Sequence, residues 1–218
     1  MRIVSVNVGQ PREIPRGDGT VLSGIVKEPV SGRVPVGPTN LTGDAQADLR
    51  VHGGPDKAVY AYPVEHYAHW QVALARDDLT PGRYFGENLT TEGLDEEAVH
   101  IGDRLRVGTA LLEVSQPRVP CFKLALRMND PAFARPFLAS GRTGFYLRVV
   151  EQGEMAAGDA IAREGRGEGA MSVREVAGLL SDGASAADLD RAAALPALAI
   201  GWREGFANRA IALRRRAR

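Results

Sequence analysis

Ile3, Val4, Val6 and Val8 open the chain with a near-alternating apolar run that stops at Gly9-Gln10-Pro11, the pattern of a strand entering a turn. Short apolar runs at Gly24-Ile25-Val26 and Val34-Pro35-Val36, each broken by Gly or Pro, predict two more strands. Ala98 to Val107 and Ala110 to Ser115 predict a hairpin turning at Gly108-Thr109, with Leu112 and Val114 on one face. Gly144 to Val150 and Gly158 to Ala162 complete the set. Many short strands divided by glycine-rich turns predict a closed or nearly closed barrel.

Helical spacing interrupts this pattern. Pro63 stands where a first helical residue often does, and Val64, Tyr67, Trp70, Gln71 and Leu74 follow at helical intervals. Cys121 to Met128 and Pro131 to Ala139 predict two shorter helices. Beyond residue 165 the character changes. Gly165-Arg166-Gly167-Glu168-Gly169 is predicted to be a flexible linker, and Ser172-Val173-Arg174-Glu175 fits a capping box. Val173, Val176, Ala177 and Leu180 form the stripe of the helix it starts. Ser185 to Ala194 and Trp202 to Arg216 predict two more helices. The expected fold is therefore mainly β with some α: a β-barrel core over residues 1–164 and a small three-helix appendage over 170–218.

Composition narrows the class. A chain of 218 residues with 44% hydrophobic residues suits one large domain, or one domain plus an appendage. The 27 basic and 27 acidic side chains cancel, so no net charge draws the chain to nucleic acid or acidic membranes. The arginines at 203, 209, 214, 215, 216 and 218 read as a solvated end, and no nucleic-acid partner is expected. The single cysteine excludes an intrachain disulfide. Met1-Arg2-Ile3-Val4 enters the strand pattern without a leader-like apolar core, and no run approaches the ~20 apolar residues of a membrane span. A cytoplasmic protein without a membrane partner is expected. Phosphate-binding and dinucleotide-binding glycine loops are missing from the sequence.

Three clusters could carry chemistry. In Gln116-Pro117-Arg118-Val119-Pro120-Cys121-Phe122-Lys123, two prolines restrict the chain around a cysteine set between two cations. Nearby cations lower a thiol's pKa, and the thiolate is both nucleophile and soft-metal ligand. An inert core cysteine is the plainer alternative. In His52-Gly53-Gly54-Pro55-Asp56-Lys57, the glycines let backbone approach a ligand while His52 and Lys57 add donors; an ordinary turn would look the same. In Phe85-Gly86-Glu87-Asn88-Leu89-Thr90, Glu87 and Asn88 offer the mixed donor and acceptor edge a pterin requires, and so would a surface turn. His66 and His69 lie one helical turn apart but lack partners at zinc spacing, so they read as a surface pair. A hydrolase pairing Cys121 with His52 is also compatible with the spacing.

Taken in order, His52-Gly53-Gly54-Pro55-Asp56-Lys57-Ala58, Gly86-Glu87-Asn88-Leu89-Thr90, Ile101-Gly102-Asp103 and Ser115-Gln116-Pro117-Arg118 with Pro120-Cys121 closely resemble the MOSC family, relatives of the C-terminal domain of molybdenum cofactor sulfurases. The resemblance spans about residues 1–163, and the three-helix tail adds a likeness to the bacterial YiiM-type branch. It implies a barrel-like fold that binds the molybdenum cofactor, a molybdopterin, in a cleft. Cys121 would then be the catalytic metal ligand, with His52, Gly53, Gly54, Lys57, Glu87, Asn88 and Arg118 around the cofactor. It further implies an oxidoreductase that reduces N-hydroxylated compounds such as hydroxylaminopurine, with electrons from a partner reductase. A non-catalytic cofactor carrier is the alternative, since it needs the same pocket.

Overall fold

The computed structural model describes residues 1–50, 52–169 and 171–216; Val51, beside the His52 cluster, and Arg218 of the basic end lie outside them. The strands are β1 (Arg2–Val8), β2 (Arg12–Arg16), β3 (Gly19–Ser23), β4 (Glu28–Pro29), β5 (Val34–Val36) and β6 (Val59–Pro63). They continue with β7 (Leu89–Glu92), β8 (Arg104–Val107), β9 (Ala110–Pro117), β10 (Phe145–Glu151), β11 (Gly153–Met155) and β12 (Ile161–Gly165). The helices are α1 (Glu65–Leu74), α2 (Phe122–Met128), α3 (Ala134–Ser140), α4 (Val173–Gly178), α5 (Ala186–Ala193) and α6 (Ile200–Arg216).

Eight strands form one sheet in the order β12-β8-β9-β10-β6-β7-β1-β4, and β11-β5 and β2-β3 pair separately. The β6–β7 pair is parallel, joined by a crossover through α1, and the other described ladders are antiparallel. The fold is thus mixed α/β, a large sheet with several helices, and not the expected closed barrel. One isolated bridge, Arg2↔Ala160, brings the β12 end of the chain to β1, with Ile3 N–H donating to the Asp159 carbonyl at 2.9 Å. Gly158 N–H to the Ile3 carbonyl and Ile161 N–H to the Met1 carbonyl, both at 2.9 Å, flank this bridge, beside a turn in which Asp159 N–H bonds the Ala156 carbonyl.

Three further expectations need correction. The run at 24–26 is not a strand, because the chain there packs edge-on against residues 44–47; a Cβ on Gly24 would lie 2.5 Å from the Ala45 carbonyl oxygen. The first arm of the predicted hairpin starts only at Arg104, since 98–103 is a turn closed by Asp103 N–H to the His100 carbonyl with Gly102 at φ 84°. Pro63 ends β6 rather than starting α1.

Two apolar clusters hold these elements. The larger lies under the sheet and takes in Val99, Ile101, Leu112 and Val114 together with Val173, Val176, Leu189 and Phe206 of the C-terminal helices. The smaller is aromatic. Tyr62 stacks on Phe85 at 4.4 Å between ring centres, and Trp70 donates its Nε1–H to the Tyr62 hydroxyl at 2.8 Å. Each fully buried side chain of this size contributes roughly 1.5–3 kcal/mol, so this cluster fixes α1 and α3 behind the wall of an open cleft.

Candidate functional site

The cleft is open to solvent and is lined by the 23–27 and 44–47 segments together with the 118–123 segment. Each wall has a local cause. Gly86 sits at φ 79°, and a Cβ there would come 2.9 Å from the Ile25 side chain, so glycine lets the 85–88 loop close against 23–27. Gly53 and Gly54 take φ of 89° and 84° ahead of a single 3-10 turn at Pro55–Lys57, which turns Lys57 toward the cleft. Pro117 closes β9 opposite Phe145, and the chain then leaves the sheet through Arg118 to Cys121.

Cys121 is half-buried and sits at the N-cap of α2, where its side chain makes no capping hydrogen bond. It lines the cleft. Burial pushes the thiol pKa up. Hydrogen bonds from His52 and from the Lys123 backbone, with the positive charge of Arg118, outweigh that and bring it to about 7 from 9.0. Near neutral pH a large share of Cys121 is thiolate.

Arg118 is 5% exposed, its backbone N–H bonded to the Gly144 carbonyl at 3.1 Å. The guanidinium carbon lies 5.2 Å from the Tyr60 ring centre and 5.0 Å from that of Phe137. Nη2 donates to the Phe85 carbonyl at 3.3 Å, while Nη1 has no partner. The buried Nδ1 of His52 has none either. A buried cation with an unused N–H is costly unless an anion meets it.

Asn88 lines the cleft, but its side chain is fully engaged. Its Oδ1 accepts from Tyr60 N–H at 3.1 Å, and its Nδ2 donates to Asp44 at 2.9 Å. Glu87 does not reach the cleft. It is 0% exposed, with one oxygen accepting from Tyr67 Oη, from Gly82 N–H at 2.8 Å and from Thr90 Oγ1 at 2.9 Å. The cleft thus brings together His52, Gly53, Lys57, Asn88, Arg118 and Cys121, and leaves Gly54 and Glu87 off its wall. Sequence reasoning missed Lys27, Asp44, Tyr60 and Tyr146, which also line it. Lysine usage was the available signal, because all three lysines of the chain, Lys27, Lys57 and Lys123, face this one cleft.

His66 is buried rather than part of a surface pair. Its Nε2 lies 2.7 Å from Glu96, whose other oxygen accepts Gly144 N–H at 2.6 Å, while His69 stays exposed. Among the described residues, no group of three or more His, Cys, Asp or Glu side chains could by itself cage a metal. The donor set fits a different kind of group: a soft thiolate for a metal, with a buried guanidinium and lysines for the negative charge of a phosphate-bearing, sulfur-rich ligand.

Such a cleft, a lone thiolate framed by cations at the exit of a sheet strand, defines the class. The MOSC domain pattern matches residues 48–162, and the chain belongs to the MOSC family. Within it the chain is YiiM-like. The structure of YiiM from Geobacillus stearothermophilus superposes with a TM-score of 0.81 at 38% identity, covering 96% of this chain and 98% of that one. YflK of Bacillus subtilis (strain 168) is 39% identical over 94% of this chain and 92% of its own length. A protein of Gibberella moniliformis named a reductase is 38% identical over 66% of this chain, which spans only 26% of that larger protein. No described helix is long and apolar enough to cross a membrane.

Proposed function

We propose that this chain binds a molybdenum–pterin cofactor in the cleft and reduces N-hydroxylated compounds, hydroxylaminopurine-like ones among them, in a cytoplasmic setting with electrons from a partner reductase. The observation that carries the reading is Cys121, a thiol with a pKa of about 7 lining an open cleft whose wall also holds two buried nitrogens without a hydrogen-bond partner, His52 Nδ1 and Arg118 Nη1. MOSC membership and the reductase name of one relative support it.

Breaking an N–O bond reductively takes two electrons and two protons, and no ordinary side chain stores two electrons reversibly. When bound, the molybdenum–pterin group supplies that two-electron chemistry. The chain supplies position and charge. Cys121 offers the one thiol of the chain, and Arg118 with Lys57 and Lys123 would balance the pterin's sulfur and phosphate charge. Tyr60 and Tyr146 line the wall with their ring centres 5.2 Å apart and their planes tilted by 37°, two aromatic faces either of which could meet a planar ring.

Protein made in a cofactor-producing host should contain molybdenum by elemental analysis and turn over a hydroxylamine with an artificial electron donor. Cys121→Ala should lose both the metal and the turnover. Full activity with stoichiometric metal in Cys121→Ala would sink the assignment. Loaded wild-type protein without turnover would instead make the chain a cofactor carrier.

A further inference from the structure

Of the 27 basic residues only three are lysines, and all three line the cleft while arginines serve everywhere else. Arginine matches lysine as a fixed charge but holds its proton at every physiological pH; an ammonium can give one up. Confining lysine to one cavity therefore points to work that a guanidinium cannot do.

Among the three, Lys27 has the setting of a proton donor. It is 5% exposed, and its Nζ pairs with Asp44 on the cleft wall. Asp44 is held in turn by Gly9 N–H at 2.9 Å and by Asn88 Nδ2 at 2.9 Å, so the carboxylate cannot swing away. The Lys27 backbone N–H bonds the Gly82 carbonyl at 3.1 Å, which fixes the base of the side chain. A buried ion pair contributes little net stability, because desolvation offsets the attraction. As packing, this pair is poorly accounted for; as an ammonium held on the wall of a cleft, it is better accounted for. Burial lowers the Lys27 pKa against the opposing pull of the negative charges that face it, Asp44 and Glu87.

We propose that Lys27, oriented by Asp44, is the catalytic acid that protonates the leaving oxygen of the N-hydroxylated substrate; this rests on the function proposed above. Two electrons from the reductase enter as the N–O bond breaks. The oxygen takes one proton from Lys27 and leaves as water. The nitrogen takes the second proton from solvent to give the amine, and the neutral Lys27 amine is reprotonated from solvent.

Lys27→Arg separates the roles, since arginine can keep the Asp44 pair and the positive charge. Loaded Lys27→Arg should retain wild-type molybdenum and pterin content and lose turnover by about 100-fold or more. Equal turnover at equal loading overturns this inference and leaves the function standing. Loaded wild-type protein that reduces no N-hydroxylated compound removes the function and this inference together. A readout independent of activity is ¹⁵N NMR of lysine-labelled protein, where three lysines give three side-chain signals. The signal missing from Lys27→Arg should titrate below the usual lysine value of about 10.4. If the variant fails to load, this titration decides alone: a Lys27 value at or above the usual one overturns the proposal.

Discussion

At the scale of single residues, the informative side chains are buried groups left incomplete. Arg118 Nη1 and His52 Nδ1 lack partners, and both residues line the cleft. Glu87 is the contrasting case, for its orphaned Oε2 is sealed from the cleft and three donors converge on the other oxygen. Burial is the largest influence on Glu87 and raises its pKa above the usual carboxylate value, against the hydrogen bonds from Tyr67, Gly82 and Thr90. The folded state then holds this proton more tightly than the unfolded chain, so stability falls as pH rises from the unfolded value of about 4.3 through the folded one. Glu87→Gln keeps an oxygen for the three donors and carries no charge. Urea unfolding between pH 4 and 8 should show wild type losing stability toward high pH relative to Glu87→Gln. Parallel curves would mean that the carboxylate is not strained by burial. Legibility at this scale followed local chemistry. Cys121, Arg118 and His52 could be singled out from their proline, glycine and cationic neighbours, whereas Lys27 and Asp44 meet across 17 positions, beyond the reach of any local pattern.

At the scale of elements, the capping signals were readable because they are local. Ser172 Oγ accepts Glu175 N–H at 3.0 Å, and the Glu175 carboxylate accepts Ser172 N–H at 2.7 Å, the reciprocal box foreseen from four residues. Replacing Ser172 with Ala should lower stability by about 1 kcal/mol, seen as a lower urea midpoint with an unchanged slope; no change would show that α4 is held by packing alone. Strand pairing was less readable. The β2–β3 hairpin joins Arg12-Glu13-Ile14-Pro15-Arg16 to Gly19-Thr20-Val21-Leu22-Ser23 in full register, yet only Ile14 and Ser23 are buried, so no apolar alternation announced it. The parallel β6–β7 pair was hidden for another reason: a helix separates its partners in sequence. Conversely, Ile25 and Val26 are apolar because they pack against neighbouring loops, and apolarity alone suggested a strand that backbone pairing does not make.

At the scale of the whole molecule, the open question is whether the C-terminal helices form a second unit or complete the first. The sequence suggested a loose Gly165–Gly169 connection. In the structure a Cβ on Gly167 would lie 2.1 Å from the Ile101 carbonyl oxygen, so this stretch crosses Gly102 in close contact. Backbone hydrogen bonds continue the attachment: Ile101 N–H to the Met171 carbonyl at 3.0 Å, Val173 N–H to Val99 at 2.9 Å and Ala199 N–H to Ser115 at 3.0 Å. Ser115 in turn donates from Oγ to the Asp56 carbonyl at 2.6 Å, beside the His52-to-Lys57 wall of the cleft. Because Val173, Val176, Leu189 and Phe206 share one apolar cluster with the sheet, melting the helices would expose the face that the sheet needs covered. The chain should therefore unfold as one cooperative unit. Its two tryptophans can report this separately, since Trp70 lies in the aromatic cluster behind the cleft and Trp202 packs on Phe206 in α6 at 5.5 Å. Fluorescence of Trp202→Phe should follow the sheet region and that of Trp70→Phe the tail. In each variant, that trace should coincide with far-ultraviolet circular dichroism in urea. An earlier Trp202 transition in Trp70→Phe, with the remaining secondary structure intact, would instead establish the helices as an independent domain. Loss of the tail would then leave the Cys121 cleft standing.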